Sequence, residues 1–419
     1  MLLKSIIQIA LILICSAGSN TLTAQRLYNS TSIDSGQLTN YFTPTETEQR
    51  DIKDVVRKIF KSSKQNQQDS SIGRKNRIYN SFFPAAGYTL QTGYAAIVSE
   101  GIAFYTDTTG SEKISSILTS ITYTQFHQLL FPLTVNIWTK KNKFNIVFDY
   151  RFLKYPSTTY GLGARTTEND AYTLNYNCIK LHQTIQTKIY RNLYAGVGIY
   201  YDYLWNITEV NPPPGIKTSF QKYGASQKET ASGIALKLLY DSRKNQINPA
   251  NGSYANIVYR PSFTFMGSDN NWQALQIDCR KYFKLFGSTK NILALWSFDW
   301  LTLGKTKPPY LLLPSTGWDD FYNTGRGYVQ SRFRAKDMIY AEAEYRFGIS
   351  SNGLLGGVVF GNVQSFSKNL ATQLSVFAPG LGAGLRIKLN KFSNTNLCID
   401  YSFGMNGSRG LFLNLGEVF

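Results

Sequence analysis

Histidine and cysteine are scarce in this chain, with two and four among 419 residues. His127 and His182 have no partner at metal-ligand spacing, so a metal centre is not expected. Outside the N-terminal stretch the cysteines are Cys178, Cys279 and Cys398. They are odd in number and far apart, which argues against a disulfide framework and for small packed side chains. There is no G-x-S-x-G elbow and no phosphate loop. Neither an enzyme nor a cofactor is expected. Acidic residues are few, 26 against 44 Lys and Arg, giving a formal net charge of +18. The positive charge is spread along the chain and often alternates with apolar residues, with no nucleic-acid module. It suits a basic lumen or a rim facing anionic lipid head groups. After residue 24 no run approaches the roughly 18 consecutive apolar residues of a membrane helix.

What is present starts with a leader. Lys4 gives a positive end, Ile6 through Ile14 are apolar except for Gln8, and Thr21-Leu22-Thr23-Ala24 supplies small residues for cleavage. Residues 1–24 therefore read as a secretory signal peptide. Ile14 stands where a lipoprotein signal wants a small residue, so Cys15 is not expected to be lipidated. Residues 25–80 are polar, as in Ser62-Ser63-Lys64-Gln65-Asn66-Gln67-Gln68. Within them Ile52, Val55, Val56, Ile59 and Phe60 fall on one helical face. Thr43, Pro44 and Glu46 supply a start signal. The expectation is one short periplasmic helix that docks through that face.

From residue 81 to 419 the text changes to period-two alternation. Ile339, Ala341, Ala343, Tyr345 and Phe347 share one face, opposite Tyr340, Glu342, Glu344 and Arg346. Leu385, Ile387 and Leu389 oppose Arg386 and Lys388, and Leu397, Ile399, Tyr401 and Phe403 oppose Asp400 and Ser402. A soluble sandwich would bury the apolar face; a membrane barrel would turn it to lipid. The number of such strands, and ionisable residues sharing one face across several, favour a wet lumen. Aromatic residues make up 14% of the chain, with 28 Tyr, as interfacial girdles require. The last strand runs to Phe419, which is expected to close the barrel against lipid. The predicted fold is all-β: a transmembrane antiparallel barrel of about sixteen strands, preceded by the short helix.

Two stretches carry a resemblance. Gly325-Arg326-Gly327-Tyr328 precedes a strand ending Ala343-Glu344-Tyr345-Arg346-Phe347. Asp241-Ser242-Arg243-Lys244-Asn245-Gln246-Ile247-Asn248-Pro249-Ala250-Asn251-Gly252 forms the second. The region from about Phe82 onward resembles the BamA/TamA-like outer-membrane assembly and secretion barrels (the bacterial surface antigen family). The first stretch matches that family's (V/I)RG(F/Y) loop motif, with Gly325 in place of Val or Ile. The second matches its periplasmic turn, in which Asp241, Arg243, Asn248, Pro249 and Gly252 are the matching positions.

The resemblance implies that Arg326 reaches into the lumen toward Glu344 and toward a position occupied here by Asn362, where the family has Asp. On that pattern the latch rests mainly on Glu344. It also implies periplasmic POTRA modules, which residues 25–80 are too short and polar to hold. A barrel-only branch, served by a separate periplasmic or membrane partner, is the expectation. The implied function is outer-membrane biogenesis or transport of protein or lipid in a Gram-negative bacterium. The alternatives are a basic passive or substrate-selective channel, and a structural subunit of an outer-membrane complex. Outer-membrane lipids are expected partners and nucleic acid is not.

Overall fold

The computed structural model describes residues 49–52, 54–55, 78–89, 92–106, 113–288, 290–305, 307–319, 323–367, 377–391 and 393–419. The signal-peptide expectation lies outside these residues, as do Val56, Ile59 and Phe60. Strands follow one another as β1 (Tyr79–Thr89), β2 (Gly93–Phe104), β3 (Ser115–Thr124), β4 (Leu129–Trp138), β5 (Phe144–Lys154), β6 (Ser157–Thr159), β7 (Tyr172–Tyr190), β8 (Leu193–Val210) and β9 (Glu229–Asp241). They continue as β10 (Gly252–Ser262), β11 (Trp272–Lys284), β12 (Asn291–Thr302), β13 (Asp337–Gly348), β14 (Leu355–Ser367), β15 (Phe377–Asn390), β16 (Thr395–Phe403) and β17 (Arg409–Leu415).

Pro156, which has no N–H to donate, separates β5 from β6. Both pair with β7, and the Tyr155 N–H still donates to Tyr176 O at 2.8 Å. The two segments are therefore one pass, and the chain makes sixteen. Each pass pairs antiparallel with its sequence neighbour, from β1–β2 through β16–β17. β17 lies beside β1, so the first and last strands meet. Among the described residues no backbone ladder joins that pair.

Burial decides what alternation left open. On β13 the charged face is inside, with Glu344 at 0% and Glu342 at 4% exposure. On β15 the apolar face is outside, with Leu381 at 66% and Leu385 at 52%. A soluble sandwich would show the reverse. Charged side chains inside and aliphatic ones outside belong to a barrel whose outer solvent is lipid. The long connections, at 160–171, 211–228 and 303–336, leave one end of the barrel. Tighter turns, such as 139–143, 191–192 and 391–394, leave the other end, together with the N-terminal segment. By the usual asymmetry of such barrels the second end is periplasmic.

One expectation changes at the periplasmic end. Phe419 does not face lipid. β17 stops at Leu415, Gly416 takes φ 86°, and the chain turns inward. Val418 and Phe419 are buried, and the Phe419 ring stacks on Trp296 with centroids 5.1 Å apart. The cause is Glu417, which breaks the apolar alternation and is held inside by Arg386 Nε at 2.8 Å. The N-terminal segment, for its part, is attached by polar groups among its described residues. Arg50 N–H donates to Asn352 O at 3.0 Å, and Lys391 Nζ meets Asp54 Oδ2 at 2.8 Å. Ile52 of the expected docking face is exposed at 36%.

Candidate functional site

The 303–336 connection descends into the barrel, and two glycines let it turn there. Gly325 (φ 79°) and Gly327 (φ 108°) flank Arg326 in the left-handed region. A Cβ on Gly327 would stand 2.8 Å from Phe403 O, and one on Gly325 2.5 Å from Thr316 Cγ2. Any side chain at either position would be strained and crowded. The barrel wall makes room in turn. On β15 a Cβ at Gly380 would lie 2.5 Å from Arg326 O, and one at Gly384 1.8 Å from Asp400 Oδ1.

Arg326 is 2% exposed and its guanidinium meets three carboxylates. Nη1 donates to Asp400 Oδ2 at 2.6 Å, and Nη2 donates to Glu344 Oε2 at 3.0 Å and to Glu342 Oε1. Its Cζ lies 3.5 Å from the centre of the Phe360 ring, a cation–π contact at a buried guanidinium. The carboxylates belong to β13 and β16, so one side chain ties the loop to two separated strands.

Asn362 plays a different part from the one expected. Its Nδ2 donates to the Arg326 carbonyl at 2.8 Å and makes no bond to the guanidinium. The acid missing at that position comes instead from Asp400 on β16, with Glu342 beside Glu344. Tyr328 completes the seat: its hydroxyl donates to Pro379 O at 2.6 Å and accepts from Met405 N at 3.0 Å.

The network extends toward the periplasm. Glu344 Oε1 is 3.2 Å from both Arg346 Nε and Arg386 Nη2. Arg386 also bridges Asp400 and Glu417. Arg326, Arg346 and Arg386 thus interleave with Glu342, Glu344, Asp400 and Glu417. Such a cluster is stable only while every charge keeps its partners. Glu342, Arg346, Arg386, Asp400 and Glu417 were not marked as latch residues in the sequence. For Glu342, Arg346, Arg386 and Asp400 the available signal is their shared inward parity on β13, β15 and β16; for Glu417, beyond the end of β17, it is the break in the apolar alternation.

The periplasmic turn 242–251 crosses the periplasmic mouth beside a cavity lined by Asn248, Arg346, Arg386 and Glu417. Arg243 pairs with Asp241 at 3.0 Å, and Gln246 Nε2 donates to the same carboxylate at 2.8 Å. Gly252 (φ 109°) returns the chain to β10. Asn245 Oδ1 accepts from the N–H groups of Ile247 and Asn248 at 2.8 and 2.9 Å, which folds the turn tightly. That shape carries it across the mouth. Asn245 Nδ2 donates to Ser393 O at 3.0 Å, Asn248 Nδ2 to Asn394 O at 3.4 Å, and Ile247 O accepts from Glu417 N at 3.0 Å. Arg346 Nη1 lies 3.5 Å from Pro249 O. Lys113, between β2 and β3, meets Asp241 at 3.1 Å, and burial pulls its ammonium down to about 8 against the attraction of that carboxylate. At the other end Arg332 pairs with Glu168 at 3.1 Å, and Arg334 donates to Tyr310 O at 3.1 Å. The first contact ties the 303–336 loop to the 160–171 connection, and the second is internal to the loop.

Residues 127–406 match the Omp85 superfamily domain. No curated protein matches the chain. Among solved structures the fold is similar to BamA from Haemophilus ducreyi lacking POTRA domains 1–3, at TM-score 0.52 and 15% identity, over 81% of this chain and 71% of that one. It is also similar to CdiB from Acinetobacter baumannii (TM-score 0.52, 14% identity, 81% and 60% of the two chains). CdiB from Escherichia coli gives TM-score 0.53 at 8% identity, over 81% and 62%. The chain thus spans less than two thirds of either CdiB. The match covers more than half of the sequence, from the turn after β3 to the one before β17, and takes in the loop that carries Arg326: the chain belongs to the Omp85 superfamily and is an outer-membrane β-barrel of a Gram-negative bacterium.

Proposed function

We propose that this barrel serves outer-membrane biogenesis or the transport of protein or lipid, working with a separate periplasmic partner that supplies substrate. The observation that carries the reading is the lumen obstructed from both sides. The Arg326 loop fills it from outside, and the 242–251 turn crosses its periplasmic mouth. A passive pore needs a continuous wet path, and a buried ionic network across the lumen works against one. The Arg326 loop is read as a latch that fixes the closed state. The N-terminal segment, with Asp51 and Asp54 at Lys391, is read as the place where a partner meets the barrel rim.

The test has two readouts. Reconstituted protein in a planar bilayer should show no steady conductance, and its depletion in cells should lower the abundance of other outer-membrane components. A steady open conductance, with those components unchanged, would replace this reading with the channel.

A further inference from the structure

The lipid-facing wall of β5, β7 and β8 ends, on its periplasmic side, in a cluster of cations. Ile185 at 49%, Val197 at 57% and Ile199 at 52% are exposed on the outer face, alongside the polar Gln183 and Thr187 of β7. Asn145 and Gln186 point inward and bond each other at 3.0 Å, which leaves Phe144 and Ile185 on the outside. Below this wall sit Lys140, Lys141 and Lys143 on the β4–β5 turn and Arg191 on the β7–β8 turn, all exposed, while Lys188 lies on the inward side of β7 opposite the buried Tyr194. The two turns are joined, because the Lys188 N–H donates to Lys143 O at 2.8 Å. Neither turn carries an acidic residue: they read Thr139-Lys140-Lys141-Asn142-Lys143 and Lys188-Ile189-Tyr190-Arg191-Asn192.

Two contacts fix the depth of the cluster. Lys143 Nζ lies 5.3 Å from the centre of the lipid-facing Phe144 ring, and the Arg191 guanidinium 5.2 Å from that of Tyr190, which is 61% exposed. Ile189 beside them is 57% exposed. Cations with apolar stems over interfacial aromatics, heads turned from the hydrocarbon, sit at the level of lipid phosphates. Lys141 (φ 57°) and Arg191 (φ 43°) also hold left-handed backbone that glycine or asparagine adopts at less cost. The extracellular side differs. There the exposed cations Arg165, Lys217, Lys222, Lys228, Lys305 and Lys307 share the surface with exposed Glu168, Asp170 and Asp269.

We infer that Lys140, Lys141, Lys143 and Arg191 form a binding surface for anionic phospholipid head groups of the periplasmic leaflet. It anchors one side of the barrel at a set depth through phosphate contacts. Continuity with the lipid-facing wall selects lipid over an acidic protein, which would be met by cations turned toward water.

The experiment reconstitutes the full chain in vesicles of equimolar phosphatidylglycerol and phosphatidylcholine. It is then extracted in nonionic detergent, and retained lipid is read by native mass spectrometry. Wild type should retain phosphatidylglycerol over phosphatidylcholine, less so at high salt. Lys140→Gln, Lys141→Gln, Lys143→Gln and Arg191→Asn together should lower that preference about tenfold, since each cation interacts separately with the anionic surface. Lys217, Lys222, Lys228 and Lys305, all changed to Gln, remove the same charge at the opposite end and should leave it unchanged. Heat-modifiable migration checks folding, and the two turns are also neutralised separately so that one folded variant suffices. Undiminished preference in the periplasmic variant would overturn the inference, as would an equal loss in the extracellular one. Binding of poly-glutamate that is lost in the variant while phosphatidylglycerol is kept would assign the cluster to an acidic protein instead.

Discussion

Arg326→Ala removes the one cation that Glu342 touches among the described residues. The three carboxylates it leaves are not equivalent. Glu344 keeps Arg346 and Arg386, each at 3.2 Å, and Asp400 keeps Arg386. Glu342, 4% exposed, keeps the Tyr340 hydroxyl and has no other cation partner among the described residues. Breaking a buried pair by deleting one partner costs about 3–5 kcal/mol, because the remaining charge stays desolvated. Loss of the Phe360 cation–π contact adds to this in the same direction. At about 1.4 kcal/mol per factor of ten, the equilibrium for withdrawing the loop should shift by roughly two to three and a half orders of magnitude.

The assay is external proteolysis of folded protein in vesicles. Cleavage within 303–336 should accelerate strongly, while the strands stay protected. Arg326→Lys should fall between the two, since an ammonium is a point charge that cannot reproduce the planar fork shared among three carboxylates. Arg326→Ala combined with Glu342→Gln should recover much of the protection, because it removes the orphaned charge as well. Cleavage of Arg326→Ala at the wild-type rate would refute the latch. A double variant no better than the single one would refute the assigned cause.

Asn245→Ala with Asn248→Ala removes the bonds that fold the periplasmic turn and carry it to Ser393 and Asn394, each worth about 1 kcal/mol; flickering conductance should appear where wild type is silent. Phe419→Ala empties a seat against Trp296, so unfolding should need less heat by about 3–5 kcal/mol in stability, read by heat-modifiable migration; an unchanged transition would show that the seat carries no stability. Asp51→Asn with Asp54→Asn should detach the N-terminal segment from Lys391 and lower protection of residues 49–55 in hydrogen exchange, with the barrel unaffected. Val56→Asp with Ile59→Asp, placed on the apolar face read from the sequence, should abolish partner copurification while leaving the barrel folded; copurification at the wild-type level would make the segment a tether.

Alternation alone could state that residues 81–419 are strands with one charged and one apolar face. It could not state which face meets solvent, because period two is the same for a sandwich and a barrel. Closing the sheet decided it, by burying Glu342 and Glu344 and leaving Leu381 and Leu385 outside. The loop glycines and Arg326 were legible as a motif, since left-handed backbone and a buried fork leave a local trace. Asp400, Arg386 and Glu417 were not legible as latch residues, because they meet Arg326 or its neighbours only when the loop descends into the barrel, which brings Arg326 to Asp400 across 74 positions of sequence. The inward turn of Phe419 has the same origin. Its local text reads as one more membrane strand, and only the arginines waiting in the lumen pull Glu417, and the ring after it, inside. Local sequence determined periodicity and turns; long-range charge pairing, available only in the closed barrel, decided what the lumen holds.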